Sequence, residues 1–478
     1  MAARTGSRRW WTLAILPAVA LSACGGSRLS HDAIVTALNG APASVGVAAQ
    51  LQQSQAQSAV TDVPQSGAVS SAPGSGPAVG GVGGTRTGGA HALGGTSSAS
   101  ATPGAASVGG AAAMAAGPLA PIVIGNVGNY SGPAGSSDDM APVAIRVWGQ
   151  WVNAHGGIAG HPVQVYTADD GGDPARSRSL IQDMVENKHV IAFVGNSTPL
   201  TADAGVPYLE QRHIPIVGGD LTTSQWTSSP VFFPGGTTFF SILEATLKAA
   251  HAAGATKVGV FYCVETPACE TINRHVSETA ARYGEQVVYT ARISLTQPDF
   301  TAQCLGAQQA GAQAVWLGAD SGSHERIASS CTRQNYHPLW LTSAQPATNQ
   351  EAQNPALDGM VAATPVFPWM VPGGSPELDA YNQAMRQYAP DVALAGFTAI
   401  EWAAGELFRK AAAGVGTVPG SDAIFNGLWA LRNETLGGLT PPLTYAAHQP
   451  AGQITCFFIA KISGGRWTAP NGAGDQCL

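Results

Sequence analysis

Residues Asn153–Val194 constrain the fold of this chain more than any other stretch. A helical pattern ends at Gly156-Gly157, and an apolar alternation over Val163–Thr167 reads as a strand. Asp173-Pro174 then opens a second helix, which leads into the apolar run Val190–Val194. Asp at the cap accepts from amides that have no helical partner, and Pro at the next position has no amide to orphan. Strand, helix and strand in that order require a crossover and a parallel sheet covered by helices. The same alternation continues on both sides. Upstream, Ile122–Ile124 reads as a buried strand. Asp138–Asn153 reads as a helix with Met140, Ala144, Val147 and Trp151 on one face and Ser137 as cap. Downstream, a helix near Ala202–Arg212 precedes a strand at Ile214–Val217. The second half repeats the pattern, with strands at Val258–Tyr262, Gln286–Thr290, Ala314–Leu317 and Leu339–Thr342. Its helices fall at Thr238–Ala253, Glu270–Tyr283, Phe300–Ala310 and Ser323–Asn335. The expectation is two α/β units with doubly wound parallel sheets.

The amino-terminal quarter reads differently. Arg4, Arg8 and Arg9 precede an apolar run from Trp10 to Ala20 and then Leu21-Ser22-Ala23-Cys24. That run falls short of the roughly 20 apolar residues of a membrane span and reads as an export signal over residues 1–23. Leu-Ser-Ala-Cys resembles a bacterial lipobox, which implies that Cys24 is the lipidated first residue of the mature protein and its anchor to the membrane. Arg8-Arg9 leaves the export route open between the general and the twin-arginine pathways. Residues 24–118 are dominated by Gly, Ala, Ser, Pro and Gln. A segment so poor in large apolar side chains cannot offset its ordering entropy, and it is expected to act as a tether. A short helix at Ser30–Leu38 is its one structured candidate. As a flexible coil the tether would span roughly 50 Å between its ends. The low charged fraction of 11% partly reflects this segment. What remains, about 360 residues, is enough for two domains of ordinary size. A formal charge of −7 with no basic stripe argues against nucleic acid as a partner.

Apart from Cys24, the cysteines are Cys263, Cys269, Cys304, Cys331, Cys456 and Cys477. An even set in an exported chain reads as three disulfides, with on the order of 15 possible pairings. Sequence locality favours one pairing. Cys263 follows a strand and Cys269 starts the next helix. Cys304 and Cys331 lie on helices flanking the Ala314–Leu317 strand, which right-handed crossovers would bring side by side. Cys456 and Cys477 are left to each other. Metal-ligand spacing is absent, so no metal and no cofactor are expected.

Asn153-Ala154-His155-Gly156-Gly157-Ile158-Ala159-Gly160 and Asp169-Asp170-Gly171-Gly172-Asp173-Pro174 carry a further message. Together they closely resemble the signature region of type I periplasmic binding proteins of the leucine/isoleucine/valine-binding family. The resemblance implies two doubly wound parallel-sheet lobes with a three-segment hinge. One lobe would take residues 119–236 and 366–450, the other 237–365 and 451–478. The second lobe would include the strand pair Ile454–Ile462 and Arg466–Thr468, joined at Gly464-Gly465. It also implies a monomeric, non-enzymatic solute-binding lipoprotein serving the permease subunits of an ABC importer. The cargo would be a small polar solute such as an amino acid, an amide or a related organic acid. A sensory role, with closure relayed to a signalling partner, is the alternative the same fold allows.

Ligands of open parallel sheets sit beyond the carboxyl ends of the strands. That rule selects the loops Asn126–Ser137, Gly195–Thr201, Gly218–Thr223, Cys263–Ala268, Gly318–Gly322 and Thr342–Gln345. Placed on the family pattern, Thr201 (before Ser197 or Thr198) and Asp220 with Thr222 fall in loops that grip a ligand carboxylate. Ser137 falls where a side chain covers the ligand. In the second lobe the pattern thins. The loop where the family carries an aromatic has Asp320 and Ser321, and the loop for the ammonium-binding acid reads Thr342-Ser343-Ala344-Gln345. Asp320 and Gln345 are the candidates there. Each of Thr201, Asp220, Thr222 and Asp320 has a plainer role open to it as a helix or turn cap. Trp148 and Trp151, at helical spacing, read as packing residues, and Trp226, in a loop beside Thr222 and Thr223, is the more interesting aromatic. Hydrolase, zinc-protease and nucleotide-loop motifs are absent: Gly318-Ala319-Asp320-Ser321-Gly322 has its Ser one place late, and Gly414-Val415-Gly416 follows a helix. Catalysis is not expected.

Overall fold

The computed structural model describes residues 119–478. The export signal, Cys24, the tether and the Ser30–Leu38 helix lie outside the described residues. Among the described residues thirteen strands make two sheets. The first lobe holds β1 (Ile122–Gly128), β2 (Val163–Asp169), β3 (Ala192–Asn196), β4 (Ile216–Gly219) and β5 (Phe232–Phe233). The second holds β6 (Lys257–Cys263), β7 (Gln286–Ile293), β8 (Ala314–Gly318), β9 (Leu339–Ser343) and β10 (Val361–Thr364). Its remaining strands are β11 (Cys456–Ile462), β12 (Trp467–Thr468) and β13 (Gln476–Cys477).

The first sheet is wholly parallel in the order β2-β1-β3-β4-β5. Its central strands are buried save for half-buried Val123, as apolar runs covered on both faces must be. The second runs β12-β11-β10-β9-β8-β6-β7, with β13 paired to β11. It is parallel from β7 to β10 and turns antiparallel at β11, where Val361 faces Lys461. The fold is therefore a two-lobed, doubly wound α/β architecture.

Local chemistry accounts for the element boundaries. The Asp173 carboxylate accepts from the amides of Ala175 at 2.8 Å and Arg176 at 3.1 Å, starting the helix Pro174–Glu186 at Pro174. A side-chain cap of this kind stabilises a helix by about 1 kcal/mol. Gly464 and Gly465 both take positive φ in the turn between β11 and β12. The single helix expected over Asp138–Asn153 is in fact two, Gly135–Asp138 and Ala141–Ala154, broken at Asp139-Met140 just before Pro142. Pro at the second helical position cannot donate back across that junction. Ser137 is consequently an interior residue of the short helix and not a cap.

The chain passes between the sheets three times. The helix Gly396–Ala411 returns to the first lobe and packs on β3, β4 and the helix Ala141–Ala154. There the Trp148 indole donates to Glu406 Oε1 at 3.0 Å and meets Phe408 edge-on. The three connections lie side by side. Thr237 donates its amide to the Pro365 carbonyl at 3.0 Å and its hydroxyl to the Cys456 carbonyl at 2.6 Å. The Ile454 amide donates to Thr238 Oγ1 at 3.2 Å. Gly236 is required by this crowding, since a Cβ would lie 2.4 Å from the Pro365 carbonyl oxygen.

Among the described residues three disulfides form, all in the second lobe: Cys263–Cys269, Cys304–Cys331 and Cys456–Cys477. They are the pairs that locality favours. No helix of the described residues is long and apolar enough to cross a membrane.

Candidate functional site

The carboxyl ends of β1, β3 and β4 face those of β6, β8 and β9 across a cleft. A cavity of about 120 Å³ lies within it and opens onto a wider space of about 360 Å³; Pro199, Leu200, Thr222, Phe239 and Ala268 line both. Ser137, Asp220, Thr222, Asp320 and Gln345 line the cavity, and Thr201 lines the wider space together with Trp226.

From the first lobe, Asp220 organises the loop after β4. Its Oδ2 accepts from the Thr198 amide at 2.6 Å, and its Oδ1 accepts from both the amide and hydroxyl of Thr222 at 2.9 Å. The Trp226 indole approaches the same oxygen at 3.4 Å. Burial pushes the Asp220 carboxyl above its ordinary range, and these donors pull it back in part. Thr201 donates its hydroxyl to Asp170 Oδ2 at 2.7 Å and accepts from Asn129 Nδ2 at 3.1 Å. It thereby ties the loop after β3 to the Asp169-Asp170 turn. Ser197 donates to Asp138 Oδ2 at 2.6 Å. Burial holds the Asp138 carboxyl well above the usual carboxylate range, and the nearby Asp220 and Asp320 push it further.

Behind these loops Gly195, at φ +72°, has Glu401 Oε2 where its Cβ would be, 1.9 Å away. Asn126 Nδ2 donates to that carboxylate oxygen at 3.1 Å. Burial, reinforced by the charge of Asp138, raises the Glu401 carboxyl well above its ordinary value.

From the second lobe, Asp320 caps the helix Ser321–Arg333 through the Ser323 amide at 3.3 Å. The same carboxylate reaches across the cleft, where Ser136 donates to it at 2.5 Å. Beside it Ser137 Oγ lies 3.2 Å from Ser321 Oγ and accepts from the Ser321 amide at 3.2 Å. The two lobes therefore touch directly at one rim. Gln345 follows β9, is only 1% exposed, and neither its amide nitrogen nor its amide oxygen has a hydrogen-bond partner.

The aromatic wall comes from places the loop rule does not cover. Trp316 projects from the middle of β8, its indole donating to Thr246 Oγ1 at 3.0 Å. Phe239 opens the helix Phe239–Ala252 and meets Trp316 edge-on with centroids 6.4 Å apart. Phe397 belongs to the returning helix of the first lobe. None of the three lies in a loop after a strand end, and the sheet order and the returning helix bring them to the cleft. The Cys263–Cys269 disulfide also lines it. Among the described residues, no Lys, Arg or His lines either the cavity or the wider space.

Comparison with known proteins accords with this architecture. A model of the family described as periplasmic binding protein matches residues 121–466. No curated protein matches the chain significantly. Solved structures do. A possible leucine/isoleucine/valine-binding protein from Rhodopirellula baltica superposes with a TM-score of 0.66 at 18% identity, over 74% of this chain and 96% of its own. A substrate-binding periplasmic protein from Ralstonia solanacearum gives 0.65 at 18% identity, over 73% and 99%. A fatty acid ABC transporter substrate-binding protein from Thermomonospora curvata gives 0.64 at 17% identity, over 74% and 92%. At such identities the likeness is one of fold.

Proposed function

The chain belongs to the periplasmic binding protein family, and from that premise we propose that it captures a small solute between its lobes and delivers it to an ABC permease. The observation that carries this reading is the cleft itself. Strand ends from two sheets converge on one cavity, three connections run together at Thr237, Pro365 and Cys456, and the far rim is bridged by Ser137 and Ser321. A ligand touching both walls makes its full set of contacts only when the lobes are together, so binding favours closure.

The divisions near 236/237, 365/366 and 450/451 are proposed as the hinge. Ser137, Thr201, Asp220, Thr222, Asp320 and Gln345 are proposed as the polar frame of the site. Thr201 acts through Asp170, and Thr222 acts with Asp220. Cys24 is proposed as the lipid attachment point, with the Gly/Ala/Ser-rich segment holding the lobes away from the membrane. No catalytic step is assigned.

Denaturing the purified mature protein and identifying the released small molecules by mass spectrometry tests the proposal. A stoichiometric small molecule, or a rise in melting temperature on adding a fraction of a cell metabolite extract, is the expected result. A protein that is empty and unmoved by every fraction contradicts it.

A further inference from the structure

We propose, resting on the solute-binding reading above, that the cleft selects organic cations: an ammonium group among Asp138, Asp220 and Asp320, its apolar body against Trp316 and Phe397, and a polar edge met by Gln345. The first argument is about donors. A carboxylate or phosphate needs hydrogen-bond donors or a base when it leaves water. Thr342 on the second-lobe wall donates to the Leu317 carbonyl, and three hydroxyls of the first-lobe loops are committed to the protein's own acids. Ser197 donates to Asp138, Thr201 to Asp170 and Thr222 to Asp220. The amides of Thr198 and Thr222 are likewise spent on Asp220. With no basic side chain on the cavity among the described residues, an anion would exchange its hydration for three carboxyl groups, with the neutral Gln345 amide and the Ser343 hydroxyl as its free side-chain donors.

The second argument is about acceptors. Asp138 is 3% exposed, and only Oδ2 has a protein donor, Ser197. Its other oxygen is spare on a wall of the cavity, with Asp220 and Asp320 close enough to raise its proton affinity. Buried acids that crowd one another without a cation are relieved by one. The apolar body has its own counterpart in Trp316 and Phe397, whose rings can also stabilise a cation at their faces.

The third observation is independent of the acids. Gln345 is 1% exposed and lines the same cavity with both amide atoms unpartnered. A buried side chain with one free donor pair and one free acceptor calls for a polar partner, and the cavity is where one can enter. Gln345 suits an uncharged hydroxyl, ether or amide edge on the cation, because the primary amide is neutral itself.

The test uses the full mature chain, stripped of carried ligand by unfolding and refolding. Calorimetric titrations compare two matched sets, benzylamine, benzamide and benzoate, then isobutylamine, isobutyramide and isobutyrate. Each amine is expected to bind at least about tenfold more tightly than its amide and carboxylate partners. Equal or tighter binding of a carboxylate or amide overturns the charge selection. If no probe binds, the compound captured from a metabolite extract decides. A cation bears the proposal out, and an anion or neutral compound overturns it while leaving the solute-binding function intact. Capture of nothing overturns both. Asp138→Asn, with Asp320→Asn as a second variant should the first fail to fold, is expected to weaken cation binding at least about tenfold. Unchanged affinity in a folded variant contradicts the assigned role.

Discussion

Ser137 and Ser321, 184 residues apart, meet hydroxyl to hydroxyl at 3.2 Å across the mouth of the cleft. Ser137 stands on a helix of the first lobe and Ser321 begins a helix of the second. Their contact, reinforced by the Ser321 amide on Ser137 Oγ, exists only with the lobes together. Ser137→Ala should therefore weaken ligand binding and leave each lobe intact. A net hydrogen bond is worth about 1 kcal/mol, so affinity should fall about fivefold. Titration of the two proteins with the same ligand, alongside their melting temperatures, checks this. A variant that melts much earlier would show the contact to be structural instead.

Gly195 and Glu401 make the sharpest steric test. Gly195→Ala places a methyl on Glu401 Oε2 in a backbone region that side chains avoid, and a loss of about 3 kcal/mol or more is expected. Glu401→Gln keeps the volume and the acceptor for Asn126 and replaces a carboxyl whose charged form burial disfavours. It should leave stability at pH 7 unchanged or slightly higher, whereas Glu401→Ala should cost about 2–4 kcal/mol through the cavity it leaves. Chemical denaturation of the three variants distinguishes the roles.

Glu285 gives a pH signature. Burial, with no hydrogen-bond partner on either oxygen, pushes its carboxyl up to about 7. The folded protein thus keeps a proton that the unfolded chain releases above its ordinary value of 4.5. Proton uptake is greater in the native state across that window, so stability falls as pH rises from 4.5 to about 7. Above it the loss is complete. Glu285→Gln should be the more stable protein at pH 8 by about 1–2 kcal/mol, allowing for partial solvent screening, and equal to the parent at pH 4. Urea unfolding at the two pH values checks the sign.

The disulfides should differ in weight. Cys304–Cys331 closes a separation of 27 residues and Cys263–Cys269 one of only 6. Loop-closure entropy assigns about 3.5 kcal/mol to the first and about 2 kcal/mol to the second. Paired Cys→Ala variants should follow that order in denaturant midpoint. Ligand affinity should follow the reverse order, because Cys263–Cys269 alone of the two lines the cleft.

Much of the fold was legible in the chain because its strands are buried on both faces and so appear as short apolar runs, such as Ala192–Asn196 and Ala314–Gly318. Asp173-Pro174 marked its helix start to the residue. The loops that follow those strands were legible too, and five of the six residues singled out in them line the cavity. What hydroxyls and acids do once there was not. Thr201 and Asp170 are paired through space, and no local pattern announces that the Thr201 hydroxyl donates its hydrogen bond to that carboxylate. Trp316 and Phe397 were hidden for another reason: a core strand and a returning helix reach the cleft only through sheet order and the third crossing. The break at Asp139-Met140 was masked by helical periodicity running on through it.

Small-angle scattering of the stripped mature protein, with and without its captured ligand, tests the central claim most directly. Rotation of two lobes about the Thr237–Pro365–Cys456 crossing predicts a smaller radius of gyration on binding, reversed when ligand is removed. An unchanged scattering profile at saturating ligand would contradict closure as the basis of capture.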